Sequence, residues 1–111
     1  MNLLTLRRAL KDHKLFLFSI LSGSNVRKTL RRASLEQLSL IARIFHEIFN
    51  ANFPISEKTL SLIKKKRKFG IIESSFSSAE ACNRLMEDKS HLLQVLLSLY
   101  TVLPVVLKPI K

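Results

Sequence analysis

The chain has 111 residues, nineteen Lys and Arg against eight Asp and Glu, and a formal net charge of +11. Its 47% hydrophobic content excludes wholesale disorder, its length excludes more than one domain, and two glycines with three prolines leave little material for hairpins or Gly-rich loops. A single cysteine, Cys82, excludes an intramolecular disulfide and any multi-cysteine metal site. What remains predicts an all-α protein: one domain over residues 1–111, a compact bundle of five or six short helices, with residues 1–14 a candidate mobile segment whose order the sequence leaves open.

Leu3, Leu6 and Leu10, followed by Leu15, Phe18, Ile20 and Leu21, predict one amphipathic helix or two, closed by a turn at Ser22-Gly23-Ser24. Leu15 to Leu21 is at the lower length limit of a signal-peptide apolar region. Asp12 and the cations spread from Arg7 to Lys14 precede it, and no clear cleavage site follows, so secretion is not expected. Ser24 or Asn25 then caps a short helix carrying Val26 and Leu30, with Arg27, Lys28, Arg31 and Arg32 on one face. The strongest helix signal starts at Ser34, where Gln37 three residues later completes a capping box. Leu35, Leu38, Ile41, Ala42, Phe45, Ile48 and Phe49 recur three and four apart, which marks the core helix. Asn50 and Pro54 end it, and Ser56 opens another helix with Glu57 in the first turn and Lys64 to Lys68 in the last turns.

Beyond Gly70, Ile71 to Phe76 reads as a last helical turn or a loop. Ser77 with Glu80 reads as a second capping box, opening a helix with Ala81, Leu85 and Met86 inward and Cys82 beside them. Residues 92–107 form an apolar C-terminal helix without a charge, interrupted by Pro104. Its sixteen residues rise only ~24 Å, short of the ~30 Å hydrocarbon core, so a buried helix is expected in preference to a spanning one.

A search for catalytic machinery finds none, and no enzyme is expected. His13, His46 and His91 lie on different elements without a second ligand at helical spacing, and the carboxylates read as caps and ion-pair partners. Cys82 reads as a small buried hydrophobe, and no G-x-G-x-x-G or Walker A pattern occurs. No cofactor or metal is expected.

The cations carry the signal. Arg27, Lys28, Arg31 and Arg32 make one cluster and Lys64, Lys65, Lys66, Arg67 and Lys68 another, together nine of the nineteen cations with no acid inside either. Such blocks repel themselves in a folded state and suit a polyanion. The expected partner is nucleic acid, DNA or RNA, met through its phosphates without sequence preference, since no helix-turn-helix, RNP or zinc-finger pattern is present. Lys64 to Lys68 also matches a monopartite nuclear import signal.

Ser24-Asn25-Val26-Arg27-Lys28, Arg31-Arg32-Ala33-Ser34, Ile48 through Ser56, a lysine-rich helix, Ser77-Ser78 and a Leu-rich tail follow one another in an order that resembles a family. The family is a group of small, very basic proteins of invertebrate and fish DNA viruses and of Maverick/Polinton-like (adintovirus-type) elements. The resemblance covers most of residues 15–107 and implies a virus- or transposon-derived helical protein, virion-associated, with no established activity. The chain departs from the family pattern at Ala51 and at Lys89-Ser90, where members carry glycine, and at Ser78 to Asn83, where members carry many lysines. That last departure weakens a DNA-packaging role carried over from the family.

The reading is therefore a non-enzymatic nucleic-acid-binding protein, a virion core or condensing component, located in the nucleus or the virion. Two alternatives stand beside it. Either the cations recruit the protein to an anionic membrane surface, where the C-terminal helix inserts, or that helix docks on a protein partner. Burial of Leu92, Leu96, Leu99 and Leu103 would count against both.

Overall fold

The computed structural model describes residues 3–50, 53 and 55–108, and these form nine helices with no strand among them. In chain order they are α1 (Leu3–Asp12), α2 (Lys14–Leu21), α3 (Val26–Arg32), α4 (Leu35–Phe49), α5 (Glu57–Lys64), α6 (Phe69–Ser77), α7 (Ala79–Glu87), α8 (Lys89–Leu97) and α9 (Leu103–Leu107). The all-α expectation holds, and the count exceeds the five or six expected.

The extra helices come from breaks made by hydrogen bonds that composition does not announce. The N-terminal segment is two helices, parted at His13. Ile71 to Phe76 belongs to a full helix, α6, in place of a last turn or a loop. The capping box expected from Ser77 is displaced by one residue: Ser77 ends α6, and Ser78 is the cap of α7, its Oγ accepting from the Ala81 amide. Glu80 is instead paired with Arg84 at 2.6 Å, one helical turn on. The helix expected over 92–107 is two, because residues 98–102 tighten into turns whose amides donate three residues back, as Leu99 does to Leu96 and Val102 to Leu99. Pro104 explains the restart: it lacks an amide hydrogen and cannot lie in a helix interior, but it fits the first turn of α9.

Elsewhere the cap residues fall where the sequence places them. Ser34 accepts from Gln37 N at 3.1 Å while Gln37 Oε1 accepts from Ser34 N at 2.9 Å, and Ser56 accepts from Thr59 N at 3.1 Å. Asp88, not foreseen as a cap, accepts from His91 N and starts α8. Asn25 occupies the cap position of α3 in the left-handed region (φ 58°), yet its side chain makes no cap bond.

α4 is the axis of the core and packs against α1, α6, α7 and α8. Ile41, Ala42, Ile44 and Phe45 have no exposed surface. Phe45 stacks on Phe76 of α6 at 5.4 Å, and Phe49 stacks on Phe76 at 6.5 Å, so three rings bind the two helices. His46 adds a polar clasp, its Nδ1 2.5 Å from the Phe76 carbonyl, and Asn50 Nδ2 donates to the Ser77 carbonyl at 3.3 Å. These two side chains engage carbonyls that α6 leaves open at its C-terminal end.

One continuous apolar cluster runs from Leu6 to Leu107, and a radius of gyration of 12.6 Å fits the ~13 Å of a close-packed domain of this size. Of residues 1–14, whose order the sequence leaves open, residues 3–12 form α1, and Leu6 is buried in the common core. Leu92, Leu96, Leu99 and Leu103 are all fully buried, so the C-terminal segment spends its apolar face inside the protein. In α7 the buried residues are Cys82 and Leu85, whereas Ala81 and Met86, also expected inward, stand at the boundary.

Candidate nucleic-acid interface

α3 is short, and its two apolar positions, Val26 and Leu30, turn into the core. That leaves Arg27, Lys28, Arg31 and Arg32 exposed on the outer side, as the four-residue spacing requires. The second cluster behaves differently from expectation. Only Lys64 is helical in α5, Lys65 is its C-cap, and Lys66 to Lys68 form the connection into α6, with Lys68 as the N-cap residue. Cations at the end of α5 suit its dipole, but cations before α6 oppose that helix's positive end. Lys66 to Lys68 therefore gain nothing from the dipole of α6, whereas Lys64 and Lys65 are favoured by that of α5.

The two clusters meet on one turn. The Arg27 guanidinium lies over the Tyr100 ring, 4.1 Å from its centroid. One residue on, the Thr101 hydroxyl accepts from the Lys66 ammonium. Tyr100 and Thr101 belong to the tightened segment 98–102 between α8 and α9, so the break in the C-terminal helix builds this junction. Around it lies a cleft of about 600 Å³ whose walls include Asn25, Arg27, Lys28, Arg31, Tyr100 and Thr101. None of its lining residues among those described is acidic.

Of the nine residues expected to meet phosphates, the structure brings Arg27, Lys28 and Arg31 to the cleft and Lys66 to its Thr101 edge. Arg32, Lys64, Lys65, Arg67 and Lys68 are exposed but do not line it. Among the described residues none of the nine is ion-paired with a carboxylate. Two contributors escaped the sequence reading. Tyr100 and Thr101 lie inside the uncharged segment 92–107, yet Ser98, Tyr100 and Thr101 together before Pro104 are the polar punctuation of a turn. No family model, curated protein or solved structure matches this chain.

The other side chains weighed for chemistry have structural surroundings. His13 Nε2 is 3.4 Å from Glu36 Oε1, tying the α1–α2 joint to the first turn of α4, and His46 clasps α6. Cys82 is buried, its Sγ 3.9 Å from the Ala42 carbonyl. Burial pushes its thiol pKa up; the field of Arg43 opposes that shift and the field of Glu47 adds to it. Such a thiol is held in its neutral, unreactive form. Among the described residues no three His, Cys, Asp or Glu side chains come together as a metal-binding group.

A second concavity, about 570 Å³, lies between α1, α2 and the end of α9, with Leu10, Leu17 and Leu107 in its walls and Arg7, Lys11 and Lys14 among its lining cations. No helix among the described residues is long and apolar enough to cross a membrane.

Proposed function

We propose that this chain is a non-enzymatic nucleic-acid-binding protein that holds phosphates through its two cation clusters without reading base sequence. The observation that carries the proposal is the junction at Tyr100 and Thr101, where Arg27 of one cluster and Lys66 of the other engage neighbouring residues. Separate cation runs on opposite sides would each see a polyanion alone. Two runs joined at one turn offer it a continuous edge, and each neutralised phosphate releases counterions that strengthen binding at low salt. On the same reading the protein acts as a virion core or condensing component of a virus- or transposon-derived system, in the virion or the nucleus.

The test replaces Lys64, Lys65, Lys66, Arg67 and Lys68 with glutamine and measures duplex binding across a salt series. For every phosphate that the variant no longer neutralises, the slope of log K against log[salt] should become shallower by about 0.9, and the weakening should be the same for unrelated sequences. Unchanged affinity and slope would refute the assignment of this cluster.

Burial of the Leu92, Leu96, Leu99 and Leu103 face counts against insertion or docking through the C-terminal segment, because that face is already occupied. A second reading has a different basis. Leu4 and Leu15, 69% and 83% exposed, lie on helices α1 and α2 that also carry Arg7, Lys11 and Lys14, a combination that suits an anionic lipid surface. Sedimentation with anionic vesicles that fails for Leu15→Ser while duplex binding persists would establish that reading alongside the first.

A further inference from the structure

Resting on the nucleic-acid reading, we infer that the cleft between α3 and the 98–102 turn takes an unpaired strand, one of whose bases stacks against the Arg27–Tyr100 pair while neighbouring phosphates meet Lys28, Arg31 and Lys66. The cleft is neither purely charged nor purely apolar. It combines a cation–π pair with further cations and the Thr101 hydroxyl, the two kinds of group by which single strands are held: a planar platform for a base face and positive charge along the backbone.

Geometry decides between strand and duplex. In a duplex the base faces are covered by their neighbours, and only base edges are presented, at the floor of a groove. A guanidinium over a tyrosine ring has nothing to stack on there and acts as one more charge. An unpaired base presents its face, and aromatic and guanidinium planes are the surfaces that single-strand proteins offer to it. A volume of about 600 Å³ falls within the range of clefts that enclose small molecules, enough for a nucleotide unit and far too small to receive a double helix. Stacking is indifferent to base identity, which agrees with the absence of any edge-reading motif.

The chain holds one tyrosine and no tryptophan, so its intrinsic emission reports Tyr100 alone. The full protein would be titrated at low salt with an oligo-dT strand and with a random duplex of equal phosphate number, the emission corrected for absorption by the ligand. The strand should bind at least about tenfold more tightly than the duplex and quench Tyr100, which the duplex should not. Arg27→Lys keeps the charge and removes the plane; it and Tyr100→Leu should each weaken strand binding about tenfold, near the lower end of what one stacked base contributes. In both variants the loss should be several-fold larger for the strand than for the duplex. Equal affinity for strand and duplex, or strand affinity unchanged in Arg27→Lys, would overturn this inference and leave the phosphate-binding reading in place. Failure to bind either ligand at low salt would overturn both. Arg27 lies on the surface, so its variant keeps the test decisive should Tyr100→Leu disturb the fold.

Discussion

Replacing Phe45 by alanine should remove a large part of the stability of this domain. The ring has no exposed surface, lies in the C-terminal half of α4, and stacks at 5.4 Å on Phe76, itself fully buried. Deleting a buried phenyl ring costs about 3–5 kcal/mol through lost transfer energy and the cavity left behind. Removal of the stacked partner and of the rigid α4–α6 clasp around it places this site toward the upper end. At ~0.05–0.15 kcal/mol per residue, a domain of this length has roughly 6–17 kcal/mol in total, so the substitution consumes from about a fifth to most of it. Each kcal/mol is worth about 4–5 °C at this size, which gives a fall in Tm of roughly 12–25 °C. Urea and thermal unfolding followed by circular dichroism at 222 nm would measure it, with Phe45→Leu as a control that retains most of the apolar volume and loses under about 1.5 kcal/mol. A fall in Tm below about 5 °C for Phe45→Ala would show that α4 is peripheral to the core.

Two further substitutions probe local structure. Ser34→Ala removes the acceptor for the Gln37 amide and should lower stability by about 1 kcal/mol, seen as a lower urea midpoint at unchanged slope. A shift below about 0.3 kcal/mol would mean that the capping box adds nothing to this helix end. Cys82 tests burial by chemistry. Its thiol pKa is raised in the folded state, so the stabilising contribution is complete below the unfolded value of about 8.5 and is lost as pH climbs through the folded one. Stability should therefore fall above about pH 8.5, the fall should vanish in Cys82→Ala, and reaction with a thiol reagent should follow unfolding; rapid labelling of the native protein would contradict the burial.

Local signals carried much of the architecture. Ser34 with Gln37, the three-and-four spacing from Leu38 to Ile48, Asn50 at the end of that helix and Ser56 at the start of the next all appear in the fold as the sequence reads them, whereas Leu35 at the head of the stripe is exposed and Leu40 and Ile44 beside it are buried. They were legible because a cap and an amphipathic stripe are satisfied within a few residues of themselves. The break at residues 98–102 was not legible, the joint at His13 was left open between one helix and two, and the cap of α7 was read one residue early, because Ser77 and Ser78 are equally able to cap and only packing chooses between them. Ser78 acts as a cap because α6 and α7 pack on α4 as two separate helices, and one continuous rod would not wrap that helix.

The candidate site divides in the same way. Composition and charge order by themselves settled that the chain is helical, strongly basic and equipped with two acid-free cation runs, because charge and period are properties of the chain in any conformation. The tertiary structure alone decided that Arg27 lies over Tyr100, seventy-three positions away, and that Lys66 reaches Thr101, thirty-five positions away. No local rule links such residues. Their meeting follows from burial of α8 and α9 against the core, which places the turn between them at the surface beside α3.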